Sequence, residues 1–184
     1  MMVDVTYQML LSTVQTLALL VGIFYYIMSL RNQQKTQEMQ LETRKAQLFM
    51  QIYNRFIEVE FRENFNELLN REWIDYDDYN KKYGRFTNPS AQAKGSSIGL
   101  FFEGLGILLQ KGFLDVDIVG RLMSSPIRFY WSKYEPLFHE MRARMADNEE
   151  IMTYAEYLYD EVERRYKQQG IADEIIDPYK TQEK

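Results

Sequence analysis

Between Val5 and Leu30 the chain carries no Asp, Glu, Lys or Arg, and the run from Met9 to Leu30 (MLLSTVQTLALLVGIFYYIMSL) is apolar almost throughout. Twenty-two helical residues span about 33 Å, enough to cross a hydrocarbon core of about 30 Å. A helix inside a small soluble domain seldom runs this far without one charged position for water. The expectation is a single transmembrane helix over about residues 9–30. A cleaved signal peptide would need a basic start, a shorter apolar run and small residues before the cut. Here the only early charge is Asp4, and the run ends in Met28, Ser29, Leu30 and Arg31.

The flanks set an orientation. No Lys or Arg precedes the run, whereas Arg31, Lys35, Arg44 and Lys45 follow it. The positive-inside rule then places the N-terminus outside and the rest in the cytoplasm of a single-pass protein of the cell membrane. Tyr7, Tyr25 and Tyr26 fit an interfacial belt loosely. Gln8, Ser12, Gln15, Gly22, Tyr26 and Ser29 share one face if Leu19 is admitted, a stripe through which anchors can pair into a homo-oligomer. The alternative, preferred here, is that Ser and Thr bond their own backbone and Gln15 lies shallow in the bilayer.

Beyond the run, a hydrophobic fraction of 46% and an aromatic fraction of 15% are enough for a real core. A net charge of −5 argues against nucleic acid as a partner. Residues 31–50 hold four basic and two acidic side chains, whereas residues 147–184 hold five and eleven, so the positive part suits an anionic lipid surface. The chain has no cysteine, hence no thiol chemistry.

Residues 31–47 lack Gly and Pro and are rich in Gln, Glu, Lys and Arg, which predicts a polar helical stalk continuous with the anchor. From Leu48 an amphipathic pattern through Phe49, Ile52, Phe56, Val59, Phe65 and Leu69 predicts one helix to about Asn70. Asp75 caps a short helix through Tyr83, stopped at Gly84. Asn88, Pro89 and Ser90 start a helix to Lys111 that reads as the most buried, closed by Gly112. Asp115 caps a short helix; Ser124, Ser125 and Pro126 start the next, in which Pro136 should make a kink. Asp147 with Glu150 resembles a capping box for a last helix ending at Gly170, and residues 171–184 read as a flexible tail. The expected fold is all-α: residues 1–30 with the transmembrane helix, the stalk, then a helical cytoplasmic domain over 48–170, a bundle of about five helices around residues 95–110.

No motif fixes a chemistry. Gly95, Ser96, Ser97, Ile98 and Gly99 match the GxSxG string, but a nucleophile elbow needs a strand before it, and residues 89–94 read as turns of the same helix. His139 is the only histidine, which closes His-based metal sites, and a surface position explains it. Gly104, Leu105 and Gly106 lack the third glycine of a dinucleotide loop, and Lys94, Gly95 and Ser96 reverse the order of a phosphate loop. No catalytic, cofactor-binding or metal residue is expected, and no cofactor. Ala91, Gly95 and Gly99 recur every fourth residue and predict close helix packing. Glu103, among Phe101, Phe102, Leu105 and Ile107, needs a partner if buried; Arg128, Lys133 and Tyr134 are the expected ones, in a buried polar tie between helices.

At residues 101–108 (FFEGLGIL), 131–136 (WSKYEP) and 154–158 (YAEYL), the chain resembles a family of small prokaryotic membrane-anchored proteins known only as a domain of unknown function, over roughly residues 10–165. The resemblance implies one N-terminal membrane helix and a helical domain, and no activity. The function expected from missing chemistry is a membrane-anchored protein-interaction or scaffolding module, with the lipid bilayer and an unknown protein as partners. The alternatives are an enzyme with a carboxylate site near Glu103 and a membrane sensor signalling through the stalk.

Overall fold

The computed structural model describes residues 2–144 and 150–170, with side chains from Thr6 onward. It contains six helices: α1 (Met2–Ile57), α2 (Val59–Leu69), α3 (Tyr76–Tyr83), α4 (Pro89–Gln110), α5 (Val116–Arg144) and α6 (Thr153–Gln168). No strand occurs among the described residues, so the fold is all-α, a long apolar N-terminal helix followed by a helical bundle. The chain divides into two compact units, Met1–Leu48 and Phe49–Lys184.

In the first unit α1 is helical through both the apolar run and the polar segment after it, as expected where no Gly-Pro punctuation intervenes. Its most apolar window is 0% buried, and it is the one described helix long and apolar enough to cross a membrane. Ser12 Oγ and Thr13 Oγ1 donate to the Met9 carbonyl at 2.9 and 2.8 Å, and Thr16 Oγ1 to that of Ser12 at 2.9 Å. These hydroxyls are satisfied within their own helix.

The second unit begins with a correction. The single helix expected from Leu48 to about Asn70 is broken at Glu58, whose ψ of 136° is not helical. In an unbroken helix Phe56 and Phe61 would point about 140° apart. The break turns both inward, their rings 5.7 Å apart and both against Phe101. Val59, read as a core position, is 72% exposed instead.

A second correction concerns α5. The two helices expected around Pro126 are one, with Pro126 and Pro136 inside it. Val119, Met123, Ile127, Tyr130, Trp131 and Tyr134 form one buried stripe that crosses Pro126 without a break in period. Burial contributes about 1.5–3 kcal/mol for each such side chain, more in sum than the roughly 3 kcal/mol a helical proline costs. Asp115 still caps the start, its carboxylate accepting from Asp117 N–H at 2.7 Å.

Helix α4 keeps its predicted ends. Asn88 accepts from Ala91 N–H at 3.1 Å, and Gly112 takes the left-handed conformation at φ 71°. It packs on α6 and α2 through Ile98, Phe102, Leu105 and Leu109, while Leu100 and Ile107, counted among its apolar positions, face outward. Its tightest approach is at Gly106, where an added Cβ would stand 1.9 Å from the Tyr154 carbonyl oxygen. Helix α6 starts later than the capping-box reading, at Thr153, with Met152 left-handed before it; Asp147 lies outside the described residues.

Candidate functional site

A hollow of about 560 Å³ opens among α3, α4, α5 and the entry to α6. Helix α3 supplies one wall because its short sequence is capped at both ends. Asp75 accepts from Asp78 N–H at 2.8 Å, with acids in the first turn and Lys81 and Lys82 in the last, matching the helix dipole. Tyr76, Tyr79 and Tyr83, spaced by three and four, then share the face that lines the hollow. Helix α5 contributes Tyr130 and Tyr134, stacked at 5.3 Å, and Trp73 packs 5.0 Å from Tyr134 and 5.2 Å from Tyr79.

The Tyr79, Tyr130 and Tyr134 hydroxyls stay protonated. Burial pushes the Tyr130 and Tyr134 phenols well above their ordinary value, and burial raises Tyr79 too, opposed by the nearby Arg71 guanidinium. Tyr134 donates to the Leu68 carbonyl at 2.9 Å, which ties α5 to the end of α2.

Arg71 is the residue that sequence reasoning missed. Its side chain is 2% exposed. Nη2 donates to the Ala91 carbonyl at 2.8 Å and to Glu67 at 3.2 Å, and the guanidinium stacks over the Tyr83 ring at 4.7 Å. Nε and Nη1 are buried with no hydrogen-bond partner among the described residues. Glu67 also accepts from Lys94, so one carboxylate serves two cations. The only sequence signal is the Glu67–Arg71 spacing of four, a weak one because Arg71 follows the end of α2, where an arginine ordinarily reaches solvent.

The expected tie at Glu103 forms with a different partner. Glu103 Oε2 accepts from Ala155 N–H at 2.8 Å, satisfying the third residue of α6 as an N-cap side chain would. Met152, at the capping position, has no oxygen for this, so the cap comes from the neighbouring helix. Arg128 pairs instead with Glu163 and stacks on Tyr166 at 4.8 Å, Lys133 lies 5.1 Å over the Trp73 ring, and Tyr134 is engaged at Leu68. A similar cross-helix pair joins Arg165 to Asp117 at 2.6 Å, where Gly120 leaves the room that the arginine fills.

In the small-residue stripe, Ala91 is buried and accepts from Arg71, a Cβ on Gly95 would stand 3.1 Å from Arg71 Nη1, and one on Gly99 would stand 2.2 Å from Met152 Cε. Ser97 is exposed inside α4, with no strand before it. His139 is exposed beside Glu135, 3.7 Å away. Among the described residues no group of three or more His, Cys, Asp or Glu is placed to hold a metal.

Residues 12–162 match the model of a family described as a domain of unknown function, DUF4760. No curated protein and no solved structure matches the chain.

Proposed function

Since the chain belongs to that family, whose description assigns no chemistry, we propose that it is a membrane-tethered interaction module. Its N-terminal helix spans the bilayer, and the Phe49–Gly170 domain meets a protein partner on the cytoplasmic side. The carrying observation is the exposed apolar window of α1, none of it buried, which in water would cost about 25 cal/mol for each Å² left unburied. The partner reading is supported by Ile74 and Phe86, which flank α3 and are 90% and 95% exposed. The orientation rests on the lysines and arginines that follow the apolar run.

The absence of native cysteine makes the test clean. A membrane-impermeant maleimide should label a Thr6→Cys variant in intact cells and a Gln168→Cys variant only after the membrane is opened. Reaction of both from one side, or recovery of intact chain in the detergent-free supernatant, overturns the tether. A photoreactive phenylalanine at Phe86 should give one discrete adduct in native membranes; none there and none at Ile74 overturns the partner reading. A second reading, a sensor signalling through residues 31–47, is favoured by the unbroken helix of α1. Gln40→Pro should leave a tether working and silence a sensor.

A further inference from the structure

We propose that the hollow among α3, α4 and α5 is a binding site for a small uncharged aromatic molecule with a carbonyl oxygen, which accepts a hydrogen bond from the hydroxyl of Tyr130. The inference goes beyond the tethered-module reading and does not depend on it.

Tyr130 is only 3% exposed, and it lines the hollow. Tyr134 spends its hydroxyl on the Leu68 carbonyl, whereas that of Tyr130 meets no hydrogen-bond partner among the described residues. The unpartnered side-chain atoms sealed inside the fold are Nε and Nη1 of Arg71 and Nη2 of Arg142. The Tyr130 oxygen is not one of them, so the small surface it keeps looks into the hollow. Burial, and after it the nearby Tyr79 and Glu103, hold the proton on this phenol. It is therefore a donor taken out of water with nothing to receive its hydrogen until an acceptor enters.

The remaining walls describe the body of the ligand. The volume of about 560 Å³ is that of a small-molecule site. From Tyr130 the lining rings continue through Tyr134, Tyr79 and Tyr83, with successive centroids 5.3, 6.4 and 5.4 Å apart, a run suited to stacked or edge-on contact with one more aromatic ring. Charge finds no match there. Glu103 caps α6 at Ala155, where the helix dipole disfavours an added cation, and Arg85 and Glu150 on the lining are exposed, so water screens them. An ion would leave water without a free opposite charge to meet, a cost that an uncharged molecule avoids. On the α4 wall the Gln92 amide already donates to Ser96 at 2.7 Å. The Tyr79 hydroxyl, beside Gly95, is the competing donor.

The test uses the full chain in dodecyl maltoside micelles and follows the fluorine NMR line of para-fluorobenzamide against empty micelles. Saturable broadening in the millimolar range is expected, reversed by benzamide and about tenfold less effectively by benzoate or benzylammonium. Tyr130→Phe should weaken binding about three- to tenfold, the loss of one neutral hydrogen bond. The same variant without ligand should unfold at the parent's midpoint or above it, because the hydroxyl has no protein partner to lose. Ser96→Trp, which builds a ring into the hollow, should abolish binding with the helical signal kept; should it fail to fold, Tyr130→Phe decides the matter. The proposal is overturned by no saturable broadening, by equal displacement with either ion, or by a folded Ser96→Trp that binds like the parent. It is overturned equally by a lowered midpoint in ligand-free Tyr130→Phe, or by undiminished binding in that variant, with Tyr79→Phe then telling whether the competing donor holds the probe.

Discussion

Two helices of this chain are strongly apolar, and they meet opposite fates. Helix α4 carries Ile98, Phe102, Leu105 and Leu109 into the core, whereas the apolar run of α1 leaves Leu10, Leu17, Leu20 and Phe24 uncovered. Apolar content does not separate them. Helix α4 has glycines where neighbours come within contact distance, and it has Lys94 and Glu103 to pair with them; α1 has Gly22, beside which nothing lies within 4 Å, and no charge at all in the run. A helix destined for other helices needs gaps and polar anchor points, while one destined for lipid needs only uniform apolarity.

Matched substitutions in the two helices put that contrast at risk. Phe102→Ala should cost about 3–5 kcal/mol and lower the thermal unfolding midpoint of the domain, while Leu20→Ala, on the exposed face of α1, should leave it unchanged. An equal shift in both, read by circular dichroism, would break the comparison. Next in size, Gly106→Ala should cost about 1–3 kcal/mol or more, because its Cβ meets the Tyr154 carbonyl, and Gly22→Ala should cost the domain nothing. Glu103→Ala should cost about 1 kcal/mol as a lost helix cap, and Glu103→Gln less, since an amide oxygen can still accept from Ala155; equal losses in a denaturant titration would remove the cap from the account.

The smallest effect is on acid stability. The Lys94 hydrogen bond, opposed by partial burial and aided by Arg71, holds the Glu67 carboxyl below its ordinary value of 4.5. A depressed carboxyl stabilises the fold fully above its unfolded value and loses that contribution as pH falls through the folded one. Glu67 is 43% exposed, so the contribution is small. Glu67→Gln should therefore match the parent once pH has fallen below the depressed Glu67 value and fall slightly short of it at pH 7 in urea titrations.

Much of the fold is legible because helix signals are local. The caps Asp75, Asn88 and Asp115 and the left-handed Gly112 sit where the sequence places them. The departures share a cause in distant partners. The break at Glu58 depends on Phe101, more than forty residues away, and α5 runs through Pro126 because both sides of it bury the same stripe. Of the candidate site, Glu103 was found from its apolar neighbours, but its partner is a backbone N–H, which no side-chain pattern encodes. Arg71 went unseen because burial after a helix end leaves no periodic trace.

By itself the sequence determined that the protein is all-helical and carries a long charge-free apolar run near its N-terminus, because charge content and helical period act over neighbouring residues. Only the tertiary structure decided that Glu103 caps α6, that Glu163 answers Arg128, and that Arg71 lies buried beside Gly95 with donors unspent. Such pairings join residues from twenty-four to fifty-two positions apart, and which of many donors and acceptors meet is settled by how whole helices pack, a choice the linear order leaves open.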